Sequence, residues 1–162
     1  MSLAVRTEGL VKRYDGTLAV AGVDLEVAAG EIHGLVGPNG AGKTTMLKML
    51  ATLLVPTSGR AEVAGADVVR EPDAVRRVIG YMPDSFGVYD DMKVWEYLDF
   101  FARARHVPDR ADAASKVLDD VGLTEKHDSL VEGLSRGMQQ RLGLAQLLLH
   151  QPRLGEVVGG AQ

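Results

Sequence analysis

The chain has 162 residues, 46% hydrophobic and 25% charged, which is an ordinary composition for one soluble domain. Its net charge of −4 does not indicate a protein that binds nucleic acid through bulk positive charge, so we expect no nucleic-acid partner. The absence of cysteine excludes disulfides, thiolate zinc sites and a cysteine nucleophile, and the four histidines are too scattered in sequence to indicate a metal cluster.

Two segments with alternating hydrophobicity open the chain. Residues 4–14 and 17–30 are predicted strands, and Gly30 ends the second of them. The next segment, "EIHGLVG" at residues 31–37, is a short apolar run that ends in glycine, which predicts a buried strand.

A glycine-rich segment follows, and residues 37–44 match the pattern G-x-x-x-x-G-K-[ST] in full. Glycines allow successive backbone N–H groups to turn toward anionic oxygens, and a following helix presents its positive end to them. We expect Lys43 to reach the β- and γ-phosphates of a nucleotide and Thr44 to offer its hydroxyl to Mg²⁺. The candidate phosphate-binding residues are Gly37, Asn39, Gly40, Gly42, Lys43, Thr44 and Thr45.

This motif alone does not distinguish ATP from GTP, or an ATPase from a kinase. A GTPase of the usual kind needs a guanine-reading N-K-x-D sequence, and the only asparagine of the chain is Asn39, inside the motif itself. On this motif alone, a small-molecule kinase is still an alternative.

Helical and strand patterns alternate in the rest of the chain and indicate an α/β protein. The first predicted helix covers residues 43–54, with an apolar face of Leu47, Leu50, Ala51 and Leu54, and Pro56 ends it. The further predicted elements are a turn and short hairpin over residues 56–68, a strand over 78–83, and helices over 94–106, 111–123 and 135–150.

The sequence "LSRGMQQR" at residues 134–141, together with "GPNGAGKTT", resembles the nucleotide-binding subunit of ABC transporters. The resemblance runs from about residue 3 to about residue 153. It implies a P-loop NTPase of ABC type with N-terminal antiparallel strands and a helical subdomain, the Q-loop and this subdomain lying at about residues 84–140. It also implies ATP and Mg²⁺ as ligands.

The resemblance assigns roles to residues outside the phosphate motif. Tyr14 in "KRYDG" stands where the family has an aromatic that stacks on adenine; otherwise it is an ordinary half-buried strand residue. Ser135 and Gly137 precede an apolar helix and would contact the γ-phosphate of an opposite subunit, which implies a dimer; otherwise Ser135 is a plain helix cap. Arg136 and Met138 depart from the family's L-S-G-G-Q.

Asp84 stands where the Q-loop glutamine belongs, so it and Thr44 are the candidate metal ligands; otherwise Asp84 is a solvated turn residue. In the family, the stretch that follows lies near the membrane subunit, so Phe86, Tyr89 and Trp95 are candidate contact residues, and Trp95 is equally a candidate for the core.

The catalytic part of the family pattern is not matched. After "PRL" the family continues to an Asp-Glu pair, whereas Val158 and Gly159 occupy those positions, and Glu156 is the only carboxylate nearby. We therefore expect one incomplete nucleotide-binding domain over residues 1–162, truncated before that pair, with C-terminal core strands missing and an atypical, glycine-rich tail at 151–162. Such a chain would bind ATP without hydrolysing it, and whether it is an enzyme is left open.

No window approaches the ~18 apolar residues of a membrane span. The resemblance implies a cytoplasmic protein, held at the inner face of a membrane by a transmembrane permease and paired with a second ABC subunit. Two alternatives are a non-catalytic module that lends its signature motif (residues 134–141) to a partner, and a non-functional fragment. An unrelated P-loop kinase would leave residues 134–141 unexplained.

Overall fold

The computed structural model describes residues 2–82, 91–151 and 154–157, the last four by their backbone alone. The chain divides into two compact units, Met1–Ile79 and Gly80–Gln162. In the part of the chain that the structure describes, no helix is long and apolar enough to cross a membrane.

The first unit contains an antiparallel sheet with the strand order β2-β1-β3-β4. Its strands are β1 (Leu3–Tyr14), β2 (Thr17–Ala28), β3 (Ser58–Val63) and β4 (Ala66–Asp67). The β1–β2 turn is Asp15-Gly16, with φ of 39° and 90°, and the β3–β4 turn is Ala64-Gly65, with φ of 50° and 82°. Two consecutive positive φ values suit the right-handed twist of a tight hairpin. These elements confirm the two predicted N-terminal strands and the predicted short hairpin.

Two helices pack on this sheet. Helix α1 (Lys43–Leu50) contacts β2 and β3, and α2 (Pro72–Val78) contacts β4. The prediction that α1 continues to residue 54 is wrong, because the helix ends at Leu50 and Thr52 has a φ of 61°. Its buried face is formed by Met46, Met49 and Leu50. Of the predicted apolar face, Leu50 and Ala51 are buried, whereas Leu47 and Leu54 are only half-buried.

Helix α2 was not predicted, although its start carries two recognisable signals. Pro72 lies in the first turn, where a missing N–H costs nothing, and Asp73 complements the positive helix end.

The predicted buried strand at residues 31–37 is wrong. No strand is present over residues 31–38, and Ile32 and Val36 are 101% and 96% exposed. A buried parallel strand is stable only between strand neighbours and beneath helices. Within the described residues, the sheet of the first unit does not include this segment. An apolar sequence alone therefore did not make a strand here.

The second unit is built on three helices, α3 (Val94–Ala104), α4 (Arg110–Asp120) and α5 (Arg136–Leu148), which confirm the three predicted ones. They share one apolar core. Its most deeply buried members, all at most 2% exposed, are Val94, Tyr97, Leu98, Ala102, Leu118, Leu123, Val131, Leu142 and Ala145.

Strand β5 (Ile79–Met82), which confirms the predicted strand over residues 78–83, pairs with β6 (Leu154–Val157) in a two-stranded sheet. Four residues of the atypical tail at 151–162 therefore form a strand, because β5 supplies a pairing edge. Leu147 of α5 covers β5 so closely that a Cβ on Gly80 would lie 2.5 Å from its side chain.

Candidate functional site

The phosphate loop (residues 37–45) leads into α1 through two glycines in the left-handed region. Gly40 has a φ of 84° and Gly42 a φ of 86°, values that L side chains rarely adopt. A Cβ on Gly42 would also lie 2.1 Å from the carbonyl oxygen of Ala19 in β2, whereas one on Gly40 would meet nothing within 4 Å. Gly42 therefore packs the loop closely against β2, whereas Gly40 has space around it.

Backbone N–H groups at the start of α1 are available to a ligand. The N–H of Ala41 donates to Pro38 O at 3.2 Å, and that of Met46 donates to Gly42 O at 2.8 Å. Among the described residues, none accepts a hydrogen bond from the N–H groups of Gly40, Gly42, Lys43, Thr44 and Thr45. These donors lie at the positive end of a helix, which is the arrangement that binds phosphate.

The ammonium group of Lys43 closes the loop. Its Nζ donates to Gly37 O at 2.6 Å and to Pro38 O at 2.8 Å, so the side chain folds back over the residues that precede it. An ammonium has three N–H donors and no acceptor. The positive charge thus lies within the loop, where it adds to the attraction of the free amides for an anion.

Tyr14 lies at the end of β1 and is 43% exposed, so its ring is accessible. It pairs with Thr17 across the β1–β2 hairpin. Ala19, two residues further along β2, is the residue against which Gly42 packs. Tyr14 and the phosphate loop therefore both lie next to the first residues of β2.

The predicted signature residues belong to the second unit. Ser135 caps α5, with its Oγ accepting from the N–H of Met138 at 3.4 Å, so the helix cap given as the alternative role of Ser135 is present. Gly137 lies inside the first turn of α5, whereas the sequence pattern placed it before the helix. Of the described residues, none accepts from the N–H groups of Arg136 and Gly137.

Side chains that sequence reasoning missed tie α5 to its neighbours. Arg141 Nη1 donates to Val121 O at 3.3 Å and Gly122 O at 3.2 Å, the carbonyl end of α4. A guanidinium there also complements the negative end of the helix dipole. The hydroxyl of Tyr97 donates to Gln146 Oε1 at 2.8 Å. Both contacts join residues far apart in the chain, so no local pattern indicates them.

The other predicted site and contact residues lie partly inside and partly outside the described residues. Asp84, Phe86 and Tyr89 lie outside the described residues. Trp95 is 36% exposed and stacks on His127 with 6.3 Å between ring centroids, so it is not a core residue. In the described part of the chain no group of three or more histidine, aspartate or glutamate side chains is arranged to hold a metal ion. Thr44 is exposed at the loop, where its hydroxyl is accessible.

The free N–H groups and the Lys43 ammonium form an array of donors that suits an anion such as a polyphosphate. Loop and fold thus define an α/β protein of the P-loop class. The sequence model of the ABC transporter family matches residues 20–155, and the chain belongs to that family.

Individual relatives agree with this assignment. The chain is 43% identical over 159 residues to the daunorubicin/doxorubicin resistance ATP-binding protein DrrA of Streptomyces peucetius, covering 93% of this chain and 46% of DrrA. It is 37% identical over 154 residues to the bacitracin transport ATP-binding protein BcrA of Bacillus licheniformis, covering 95% of this chain and 50% of BcrA. The chain thus spans about half the length of these relatives.

A solved structure of an ATP-binding subunit of an ABC transporter has the same fold. It superposes with a TM-score of 0.83 at 25% sequence identity, covering 95% of this chain and 65% of that structure. The fold is therefore that of ABC ATP-binding subunits, with N-terminal antiparallel strands followed by helices.

Proposed function

We propose that the chain binds Mg-ATP through its phosphate loop as part of an ATP-binding subunit that drives substrate movement by a membrane permease. The free N–H groups of Gly40 and of residues 42–45, together with the Lys43 ammonium, carry this proposal. The names of DrrA and BcrA, which describe drug resistance and bacitracin transport, support the transport role. The protein would then work in the cytoplasm, at the inner face of a membrane.

Each part of the site has a role in holding the nucleotide. The amides of Gly40 and of residues 42–45 and the Lys43 ammonium bind the phosphates, together with Gly37 and Asn39 of the same loop. The exposed Thr44 hydroxyl is a ligand for Mg²⁺, which neutralises phosphate charge when bound. Tyr14 offers a flat face to adenine. Asp84 follows β5 in sequence and is proposed to lie near the metal through a water molecule.

The second unit supplies an anion-binding helix end of its own. We propose that Ser135 and the free N–H groups at the start of α5 contact the nucleotide of a second ABC subunit. Dimerisation then brings together two incomplete sites, because each site needs the phosphate loop of one subunit and the helix end of the other. The permease contacts the dimer, and Trp95, exposed on α3, is a candidate residue for that contact.

We propose further that this chain does not hydrolyse ATP. Valine and glycine at positions 158 and 159, where the family resemblance expects Asp-Glu, offer neither a metal ligand nor a base. A positioned general base alone contributes roughly 10²–10⁴ to the rate. Retained binding groups without these carboxylates favour a nucleotide-holding module that lends its signature motif to a complete partner.

Calorimetric titration of the purified chain with Mg-ATP tests the binding. We expect binding to be lost in Lys43→Ala and kept in Lys48→Ala, an exposed lysine of the same helix. Equal affinities of both variants and the unmutated chain would overturn the proposed site. Phosphate release by the purified chain, abolished by Lys43→Ala, would overturn the proposal that it does not hydrolyse ATP.

A further inference from the structure

We propose that Lys12 is a positioning residue for adenine, holding the ring of Tyr14 in the orientation that accepts the base. This inference rests on the proposed function, in which Tyr14 stacks on adenine. Lys12 lies two residues before Tyr14 on β1, and its Nζ is 5.2 Å from the centroid of the Tyr14 ring. A lysine ammonium within about 6 Å of an aromatic centroid is attracted to the ring face.

The ammonium of Lys12 is itself held in place. Its Nζ donates to the carbonyl oxygen of Val55 at 2.8 Å, in the connection between α1 and β3. Lys12 is half-buried, whereas Tyr14 is 43% exposed. Lys12 is therefore held in position by its hydrogen bond, and the Tyr14 ring packs against its ammonium group.

An aromatic ring has two faces, and Lys12 covers one. Adenine then takes the opposite face, so that the ring lies between a cation and the base. An exposed tyrosine loses side-chain freedom when a base stacks on it, which weakens binding. A lysine that has already oriented the ring removes part of that cost, and we expect its effect on the base and not on the phosphates.

Two ligands separate these effects: Mg-ATP, which has a base, and inorganic tripolyphosphate with Mg²⁺, which has none. We expect Lys12→Met to raise the Kd for Mg-ATP about two- to fivefold, the range of an exposed cation–π contact. The Kd for tripolyphosphate stays unchanged, and Lys12→Arg restores ATP affinity because a guanidinium also stacks on an aromatic face. Lys116→Ala, which removes the same charge from exposed α4, changes neither.

Three outcomes overturn the inference. Lys12→Met could bind ATP as tightly as the unmutated chain, or more tightly because the lysine covered the adenine face. It could also lose affinity for both ligands equally, which would mean a general attraction of phosphate. The proposed function fails separately, if the unmutated chain binds neither ligand or if Lys43→Ala binds both as well as the unmutated chain does.

Discussion

The two units shape their free helix N-termini in different ways. In the first unit, the turn into α1 comes from residues close in sequence: positive φ at Gly40 and Gly42, and the Lys43 ammonium bonded to carbonyls five and six residues earlier. In the second unit, one serine caps α5, and contacts from distant segments hold the helix, among them Arg141 on the end of α4.

Apart from the contact of Gly42 with Ala19 of β2, the phosphate loop is held by local contacts, whereas the start of α5 is held by long-range contacts. The phosphate loop keeps its bonds although the segment before it is exposed at Ile32 and Val36. The start of α5 depends on a core in which Leu142 and Val131 are fully buried. Substitutions in the apolar segment before the loop should therefore change the free energy of unfolding little, and substitutions in the helical core should lower it strongly.

The largest expected effect is in the helical core. Leu142→Ala should lower the free energy of unfolding by about 2–5 kcal/mol, because the fully buried side chain leaves a cavity. Ile32→Ala, at an exposed position, should change it by less than about 0.5 kcal/mol. Urea unfolding followed by the fluorescence of Trp95, the only tryptophan, and by circular dichroism measures both. Comparable losses would contradict the contrast between the regions.

The next effect distinguishes the two glycines of the phosphate loop. Both Gly40→Ala and Gly42→Ala place a side chain at positive φ, at a cost of roughly 1–2 kcal/mol. Only Gly42→Ala also drives a methyl group into Ala19 O, so it should lower stability by about 1–3 kcal/mol more and abolish the rise of Tm with Mg-ATP. Thermal melts with and without Mg-ATP measure both quantities. Equal stability and an equal rise of Tm with Mg-ATP in the two variants would show that Gly42 does not pack closely against β2.

A smaller effect depends on pH and on Asp67. Burial would raise the pKa of Asp67, but hydrogen bonds from the N–H groups of Arg70 and Val69, and from the Arg60 guanidinium, outweigh it and lower the pKa. A lowered folded-state pKa gives stability that is present above the ordinary value of 3.8 and is lost as the pH falls through the folded value.

Urea unfolding of the unmutated chain and of Asp67→Asn between about pH 2.5 and pH 6 measures this contribution. The variant should lose part of the pH dependence below the ordinary pKa and be less stable above it. Asp99→Asn is the matched change in the second unit, where the hydrogen bond from Arg110, helped by that from Arg103, outweighs the opposing effect of burial and lowers the pKa of Asp99. Asp99 is more exposed, so its effect should be smaller. A larger change in Asp99→Asn would contradict this order.

The smallest effect concerns the cap of α5. Ser135→Ala should cost about 0.5–1 kcal/mol of stability, at the low end for helix caps because its hydrogen bond is 3.4 Å long. Ser115→Ala, at an exposed position inside α4, should cost nothing or stabilise slightly. Chemical denaturation of the two variants under the same conditions checks this. A loss above about 2 kcal/mol would mean that the cap contributes more than one local hydrogen bond.

Local chemistry explains which features were predictable. Asp15-Gly16 and Gly65 allow positive φ, Gly122 closes α4, and Ser135 caps α5, so turns and helix ends followed from single residues. The segment at residues 31–37 did not follow from its apolar sequence, because a buried strand exists only through neighbours that pair with it. The packing of Gly42 against Ala19 and the hydrogen bond from Lys12 to Val55 join residues far apart in the chain, so no local spacing in the sequence encodes them.

The central claim is that the free amides of the phosphate loop bind the nucleotide, and amide chemical shifts test it residue by residue. In two-dimensional NMR spectra of the ¹⁵N-labelled chain, addition of Mg-ATP should shift the amide signals of Gly40, Gly42, Lys43, Thr44 and Thr45. These shifts should be absent in Lys43→Ala. If the five amides stay in place while signals elsewhere move, or if nothing moves at saturating Mg-ATP, the account of this loop as the nucleotide site is wrong.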